Sequence, residues 1–135
     1  MANKTVYLAL GFLAILGLIA FSSSGSFSAF AQGDQVKVSV VPGSSTLTTD
    51  AYAPNPVNVK VGQTVVWTND DTVAHTVTSG SAGSPDSGQA FDSGLTGPQA
   101  LMTKGKTFQH TFSAAGEFPY YCQLHPAMVG TVVVS

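Results

Sequence analysis

The stretch Val57–Asn69, VNVKVGQTVVWTN, carries the pattern that decides the fold. Positions 57, 59, 65 and 67 hold three valines and a tryptophan, with Gly62 between the two pairs. An apolar residue at every second position is typical of a half-buried strand, because successive side chains point to opposite faces of a sheet. The stretch therefore predicts two strands separated by a turn.

The same features extend over residues 32–135, where no run of ten or more residues has helical spacing. The predicted strands are residues 35–41, 57–59, 64–69, 75–78, 106–112, 117–121 and 131–135. Short strands separated by Gly, Pro, Asn and Asp clusters predict an all-β fold, here an antiparallel β-sandwich. Residues 80–105 are rich in Gly, Ser and Pro, and we expect a surface loop with one short edge strand near Phe91.

The N-terminal residues have the order of an export signal. Lys4 precedes an apolar run from Val6 to Phe21, and the small-x-small pattern of Ala29 and Ala31 suits a signal peptidase. We predict that residues 1–31 are a signal peptide cleaved after Ala31. The alternative is an uncleaved membrane anchor, although the apolar run is shorter than the roughly 20 residues that span a bilayer. Residues 32–135 then form one extracytoplasmic domain, periplasmic or secreted.

Composition excludes one class of partner. The chain has five Lys, no Arg and a formal net charge of −2, whereas nucleic-acid binding needs clustered basic residues. The acids are scattered, so we predict that they lie on a solvated surface and form no docking patch. They include Asp50, Asp70, Asp71, Asp86 and Asp92.

The segment Tyr121–Gly130, YCQLHPAMVG, concentrates the chemistry at C-x2-H-x2-M spacing. Cys122 is the only cysteine, so it cannot form an intramolecular disulfide. A loop between two strands can turn Cys122, His125 and Met128 towards one point, which a regular strand cannot do. Thiolate and thioether are soft donors, and together with imidazole they favour copper. His75, which follows a polar turn, is the best candidate for a second imidazole.

Ordinary structural roles are available to each of these residue types. A buried cysteine is often a small hydrophobic residue, and a methionine often fills a gap in the core. The joint spacing and order favour a metal site over these separate explanations. The third histidine, His110, shares a strand face with Phe108 and Phe112. We expect it to be a core-facing or edge residue, since the ligand set is complete without it.

Three segments resemble signatures of the blue copper proteins, or cupredoxins. They are residues 66–77 (VWTNDDTVAHTV), 91–94 (FDSG) and 116–130 (GEFPYYCQLHPAMVG). The resemblance is of the plastocyanin/amicyanin-like kind, and the two residues between His125 and Met128 are similar to the short loop of amicyanin. Thr76 departs from the pattern, because many members have Asn after the first histidine.

The resemblance implies a Greek-key β-sandwich of eight strands. It also implies one type 1 copper ion bound by His75, Cys122, His125 and Met128, with both histidines binding through Nδ1. The activity that the resemblance implies is one-electron transfer. We expect a monomer that exchanges electrons with transient redox donors and acceptors. The side-chain contacts of Thr76 are not implied, but its backbone N–H can still point at the Cys122 sulfur.

Other copper proteins are harder to match to this sequence. Copper nitrite reductases and multicopper oxidases need further histidines, and the chain has three in total, so we expect no enzyme. A binuclear copper-A carrier needs two cysteines. A copper chaperone or storage protein remains an alternative, as does a sandwich with a structural role. Membrane association is expected only through the N-terminal segment.

Overall fold

Eight strands form two four-stranded sheets in the computed structural model, which describes residues 35–97 and 100–135. The strands are β1 (Gln35–Val40), β2 (Tyr52–Ala53), β3 (Val57–Val59), β4 (Thr64–Asn69), β5 (Thr78–Ser79), β6 (Thr107–Thr111), β7 (Gly116–Tyr121) and β8 (Val129–Val134). A short 3-10 helix, Ser44–Thr46, follows β1. The predicted all-β sandwich is therefore confirmed.

The strand order is β2-β1-β4-β6 in one sheet and β3-β8-β7-β5 in the other. Two pairs, β1 with β4 and β3 with β8, are parallel, and the remaining pairs are antiparallel. The prediction of an antiparallel sandwich was wrong for these two pairs. Alternation of apolar residues reports which face of a strand is buried, but it carries no information on the direction of the neighbouring strand.

The strand bounds follow the sequence prediction closely, with three exceptions. The predicted strands 57–59 and 64–69 coincide with β3 and β4. The strand predicted at 75–78 is instead the two-residue β5, and His75 lies outside it in an isolated bridge to Met102. The edge strand expected near Phe91 is reduced to a bridge between Asp92 and Thr78. Strand β2 was missed because two residues are too few to show a period.

The core joins the two sheets through aromatic side chains. Trp67 of β4 is fully buried, and its ring centroid lies 5.5 Å from that of Tyr120 in β7 and 5.7 Å from that of Phe91. Phe91 is buried and belongs to the long loop predicted between residues 80 and 105. Burial of one aromatic residue from that loop fixes it against both sheets.

His110 occupies the position that the sequence predicts. It lies in β6, an edge strand, and its half-buried ring is 5.1 Å from the Phe91 ring and 4.8 Å from the Phe112 ring. Burial lowers the pKa of His110, so the neutral imidazole is favoured in this apolar contact.

The predicted signal peptide, residues 1–31, lies outside the described residues. In the part of the chain that the structure describes, no helix has the length and apolar character needed to cross a membrane.

Gly130 makes room for the ring of Tyr120 where β7 pairs with β8. It is paired directly with Tyr120, whose ring lies over it. A Cβ at position 130 would overlap the Cζ, Oη and Cε2 atoms of that buried ring. The glycine is therefore required by close packing.

We expect Gly130→Ala to destabilise the protein by about 1–3 kcal/mol, because the added methyl group overpacks a filled core. Tyr120→Leu removes the ring atoms in question, so Gly130→Ala should cost less in that background. Urea unfolding of the four proteins in this cycle measures the difference. Additive effects of the two substitutions would contradict the packing argument.

Candidate metal centre

The pairing of β7 with its two neighbours brings three chain segments to one end of a sheet. Tyr121, the last residue of β7, pairs with Thr78 of β5 on one side and with Val129 of β8 on the other. Both pairs are antiparallel, so the residues before β5, after β7 and before β8 meet there. Those segments hold His75, Cys122 and Met128.

Two consecutive turns explain the spacing of the ligand loop. The carbonyl of Cys122 accepts a hydrogen bond from the N–H of His125 at 3.2 Å, and the carbonyl of His125 accepts one from the N–H of Met128 at 2.9 Å. The Met128 carbonyl then accepts a bond from the Cys122 N–H at 3.1 Å and closes the loop. Each two-residue interval of the C-x2-H-x2-M spacing thus corresponds to one turn. Backbone hydrogen bonds therefore fix the positions of Cys122, His125 and Met128.

His75 is held by backbone pairing across the long loop. Its N–H and carbonyl bond to Met102 at 3.1 and 3.0 Å. The Asn69 side-chain amide donates to the carbonyls of Met102 and Val73, at 2.5 and 2.8 Å. Sequence reasoning did not find these supporting roles. The apolar character of Met102 indicated only that this part of the loop is anchored.

The donor atoms of three predicted ligands lie together. The Cys122 sulfur is 3.8 Å from Nδ1 of His75 and 3.6 Å from Nδ1 of His125, and one ligand atom from each residue lies within 4.8 Å of the others. Nitrogen and thiolate donors bind a transition metal at about 2.0–2.3 Å, which separates two trigonal donors by roughly 3.5–4 Å. The observed spacing fits one such ion.

Burial differs among the predicted ligands. Cys122, His75 and Met128 are fully buried, whereas His125 is half-buried. Exposed residues surround His125 at the protein surface, among them Leu124, which is 44% exposed. His125 lies in the loop between β7 and β8, and a loop between two strands favours such a surface position. A ring that is partly open to solvent and directly beside the donor cluster connects the buried centre with the exterior.

Asp71 contradicts its predicted place on a solvated surface. It is 3% exposed, and its Oδ2 lies 2.8 Å from Nε2 of His75. The hydrogen bond with His75 holds the pKa of Asp71 well below its usual range, against the opposing effect of burial. The backbone N–H groups of Gly43 and Thr72 act in the same direction as His75. Gly43 lies 28 residues before Asp71, so no local pattern reveals this environment.

Thr76 joins the two sides of the centre. Its backbone N–H donates to the Cys122 sulfur at 3.3 Å, which confirms the prediction for this group. Its hydroxyl oxygen accepts the N–H of Gln123 at 2.8 Å and lies 3.0 Å from the Thr78 hydroxyl. The Gln123 side-chain amide also bonds to Thr78, at 2.9 Å, and to Asp92. These bonds tie the ligand loop to the segment that carries His75.

Comparison with known families agrees with this geometry. Residues 36–135 match the sequence model of the copper binding proteins of the plastocyanin/azurin family. The chain is 31% identical to plastocyanin of Nostoc punctiforme over 130 residues, which are 90% of each protein. It is 34% identical to amicyanin of Paracoccus versutus over 87 residues, 62% of this chain. The match spans only 57% of that amicyanin's length.

Solved structures show the same architecture. A purple cupredoxin from Nitrosopumilus maritimus superposes with a TM-score of 0.58 and 32% identity, covering 74% of this chain and 99% of that one. A crystal structure of amicyanin from Paracoccus versutus gives a TM-score of 0.54 and 26% identity, covering 79% of this chain and 87% of that one. The fold of the described residues is therefore shared with cupredoxins.

We expect Thr76→Val to destabilise the protein by about 1–3 kcal/mol, because the N–H of Gln123 loses its acceptor. Thr76→Ser is the matched control, since it keeps the hydroxyl. Amide hydrogen exchange at Gln123 should become faster in the valine variant and stay slow in the serine variant. Equal protection in both variants would show that the hydroxyl does not hold the loop.

Proposed function

The chain belongs to the plastocyanin/azurin family of copper-binding proteins, and on this basis we propose that it is a type 1 copper protein that carries single electrons. The observation that carries the proposal is the group formed by Cys122, His75 and His125, whose donor atoms lie within 4.8 Å of one another. One thiolate with two imidazoles is the trigonal donor set of blue copper sites.

We propose that one copper ion is held by His75, Cys122, His125 and Met128. Cys122 provides the thiolate, and the two histidines present Nδ1. Met128 follows His125 by one turn and is fully buried, and its thioether would be a weak ligand of the copper. Bound copper supplies a one-electron couple between Cu(I) and Cu(II).

The protein's part is to keep these donors in one arrangement for both oxidation states. The ligand loop is closed by three backbone hydrogen bonds, and His75 is fixed by its backbone bonds to Met102. The Thr76 N–H directed at the Cys122 sulfur stabilises negative charge on the thiolate. A site that changes little between the two states exchanges electrons with a small reorganisation energy.

The surface around His125 supports transient docking of redox partners. The side chain of Leu124 is 44% exposed, and Pro126 and Ala127 are also exposed. A small apolar patch beside a half-buried ligand suits brief contact with an electron donor and an acceptor. We propose a monomer that binds such partners in turn.

An electron carrier fits the histidine content better than an enzyme does. Two of the three histidines belong to the centre described above, and His110 packs against Phe91 and Phe112. This leaves no imidazoles to bind a second, catalytic copper. We propose that the protein has no enzymatic activity of its own.

We further propose that residues 1–31 direct export to an extracytoplasmic compartment. The apolar run and the small residues at positions 29 and 31 support cleavage after Ala31. Mass spectrometry of protein recovered from the expressing cells should give a mature chain that begins at Gln32. Recovery of full-length protein only in the membrane fraction would instead indicate a retained anchor.

Substitution of the proposed ligands tests the site. The copper-loaded protein should be intensely coloured through thiolate-to-Cu(II) charge transfer, and Cys122→Ala should abolish that band. Met128→Leu should keep the coloured centre and raise its reduction potential, because loss of a weak thioether donor would destabilise Cu(II) more than Cu(I). Visible spectroscopy and redox titration measure both effects.

Met102→Leu is the matched control, since Met102 is an equally buried methionine outside the proposed ligand set. Its potential should remain that of the parent protein. A coloured centre that survives Cys122→Ala would overturn the ligand assignment. A parent protein that binds Cu(I) and stays colourless on oxidation would favour the chaperone or storage alternative.

A further inference from the structure

The nitrogen of His75 that faces away from Cys122 has a buried carboxylate as its partner. Nε2 lies 2.8 Å from Oδ2 of Asp71 and 3.0 Å from the hydroxyl oxygen of Ser44. His75, Asp71 and Ser44 are 0%, 3% and 0% exposed. An ionised carboxylate can only accept hydrogen bonds, so Nε2 carries the hydrogen. In a neutral ring with this hydrogen, the lone pair is on Nδ1, the nitrogen that faces Cys122.

The carboxylate is itself fixed by further donors. Its Oδ1 accepts the backbone N–H of Gly43 at 3.1 Å and that of Thr72 at 2.8 Å. Its Oδ2 accepts the Ser44 hydroxyl at 3.2 Å in addition to His75. Each oxygen thus has two donors, and the group cannot rotate without breaking several bonds in a buried environment.

Two parts of the chain hold this carboxylate. Gly43 has a left-handed backbone with a φ of 78° and lies directly before the 3-10 helix that begins at Ser44. Asp71 lies in the connection between β4 and β5, where its N–H is bound by the Asn69 side chain at 2.9 Å. A buried, fully bonded charge facing a ligand nitrogen is unusual for a residue without a role, because desolvation of a carboxylate is costly.

We propose that Asp71 is a positioning residue for the metal centre, which fixes the ring of His75 with Nδ1 free to bind the metal and strengthens it as a donor to Cu(II). The proposal rests on the proposed copper-binding function. Hydrogen bonds from a ligand histidine to a carboxylate orient the ring and raise its basicity, and their loss typically lowers metal affinity 10- to 100-fold. Cu(II), with the higher charge, gains more from this donor than Cu(I) does.

The decisive variant is Asp71→Asn, which keeps the shape of the side chain and removes its charge. Asp70→Asn is the matched control, because Asp70 is the adjacent, exposed acid and bonds to Ser39. Cu(II) affinity should fall 10- to 100-fold in Asp71→Asn and stay within about twofold in Asp70→Asn. Cu(I) affinity should fall less than Cu(II) affinity in Asp71→Asn. Each tenfold difference between these two losses of affinity raises the reduction potential by about 59 mV.

A second measurement uses the unaltered, metal-free protein and does not depend on whether a variant folds. Nitrogen NMR at neutral pH should show Nε2 of His75 protonated, with its hydrogen slow to exchange with solvent. An Nε2 without a hydrogen would overturn the proposal, since Asp71 would then accept no hydrogen bond from His75. Equal loss of Cu(I) and Cu(II) affinity in Asp71→Asn, or equal effects of both variants, would overturn it as well.

The outcomes separate this inference from the proposed function. A parent protein that forms the coloured copper centre while Asp71→Asn and Asp70→Asn behave alike contradicts only the role of Asp71. A parent protein that binds no copper contradicts both.

Discussion

The antiparallel register of β7 with β5 and β8 is the constraint on which the centre depends. The three strands meet at Tyr121, which pairs with Thr78 of β5 and Val129 of β8. His75, Cys122 and Met128 each lie within three residues of one of these paired positions, so the register sets where their donor atoms lie. A shift of one residue in either pair would turn every side chain of a strand to the opposite face. Gly130 and Tyr120 help to define this register, because the buried Tyr120 ring fits only over a residue without a Cβ.

Hydrogen bonds around the ligand residues fix the donor positions that this register brings together. Thr76 bonds to both Cys122 and Gln123, and Met102 pairs with the backbone of His75. These residues lie in segments that lack regular secondary structure, so hydrogen bonds replace the ladder of a sheet. Hydrogen bonds within the chain therefore hold the donor positions.

Much of the architecture was predictable from sequence. Alternation identified β3 and β4 to the residue. The sequence also singled out His75, Cys122 and His125, whose ligand atoms lie within 4.8 Å of one another. The positions of β2 and β5 were not predictable, because strands of two residues have no period. The surroundings of Asp71 were missed for a different reason. Its partners Gly43 and Ser44 are distant in sequence, and an acid in a polar turn is ordinarily solvated.

The long connection between β5 and β6 can change in length during evolution without moving His75. The N–H of Ser93 bonds to the carbonyl of Val77, and the backbone of Met102 bonds to that of His75. Between Ser93 and Met102 along the chain, the N–H of Leu101 bonds to the carbonyl of Gly94 at 3.2 Å. Gly94 and Leu101 are thus held together, and a loop that starts and ends at these two residues is closed by their hydrogen bond. Doubling the length of such a loop costs only about 0.6 kcal/mol in closure entropy. Insertions there can therefore reshape the exterior of the molecule while the position of His75 is inherited unchanged.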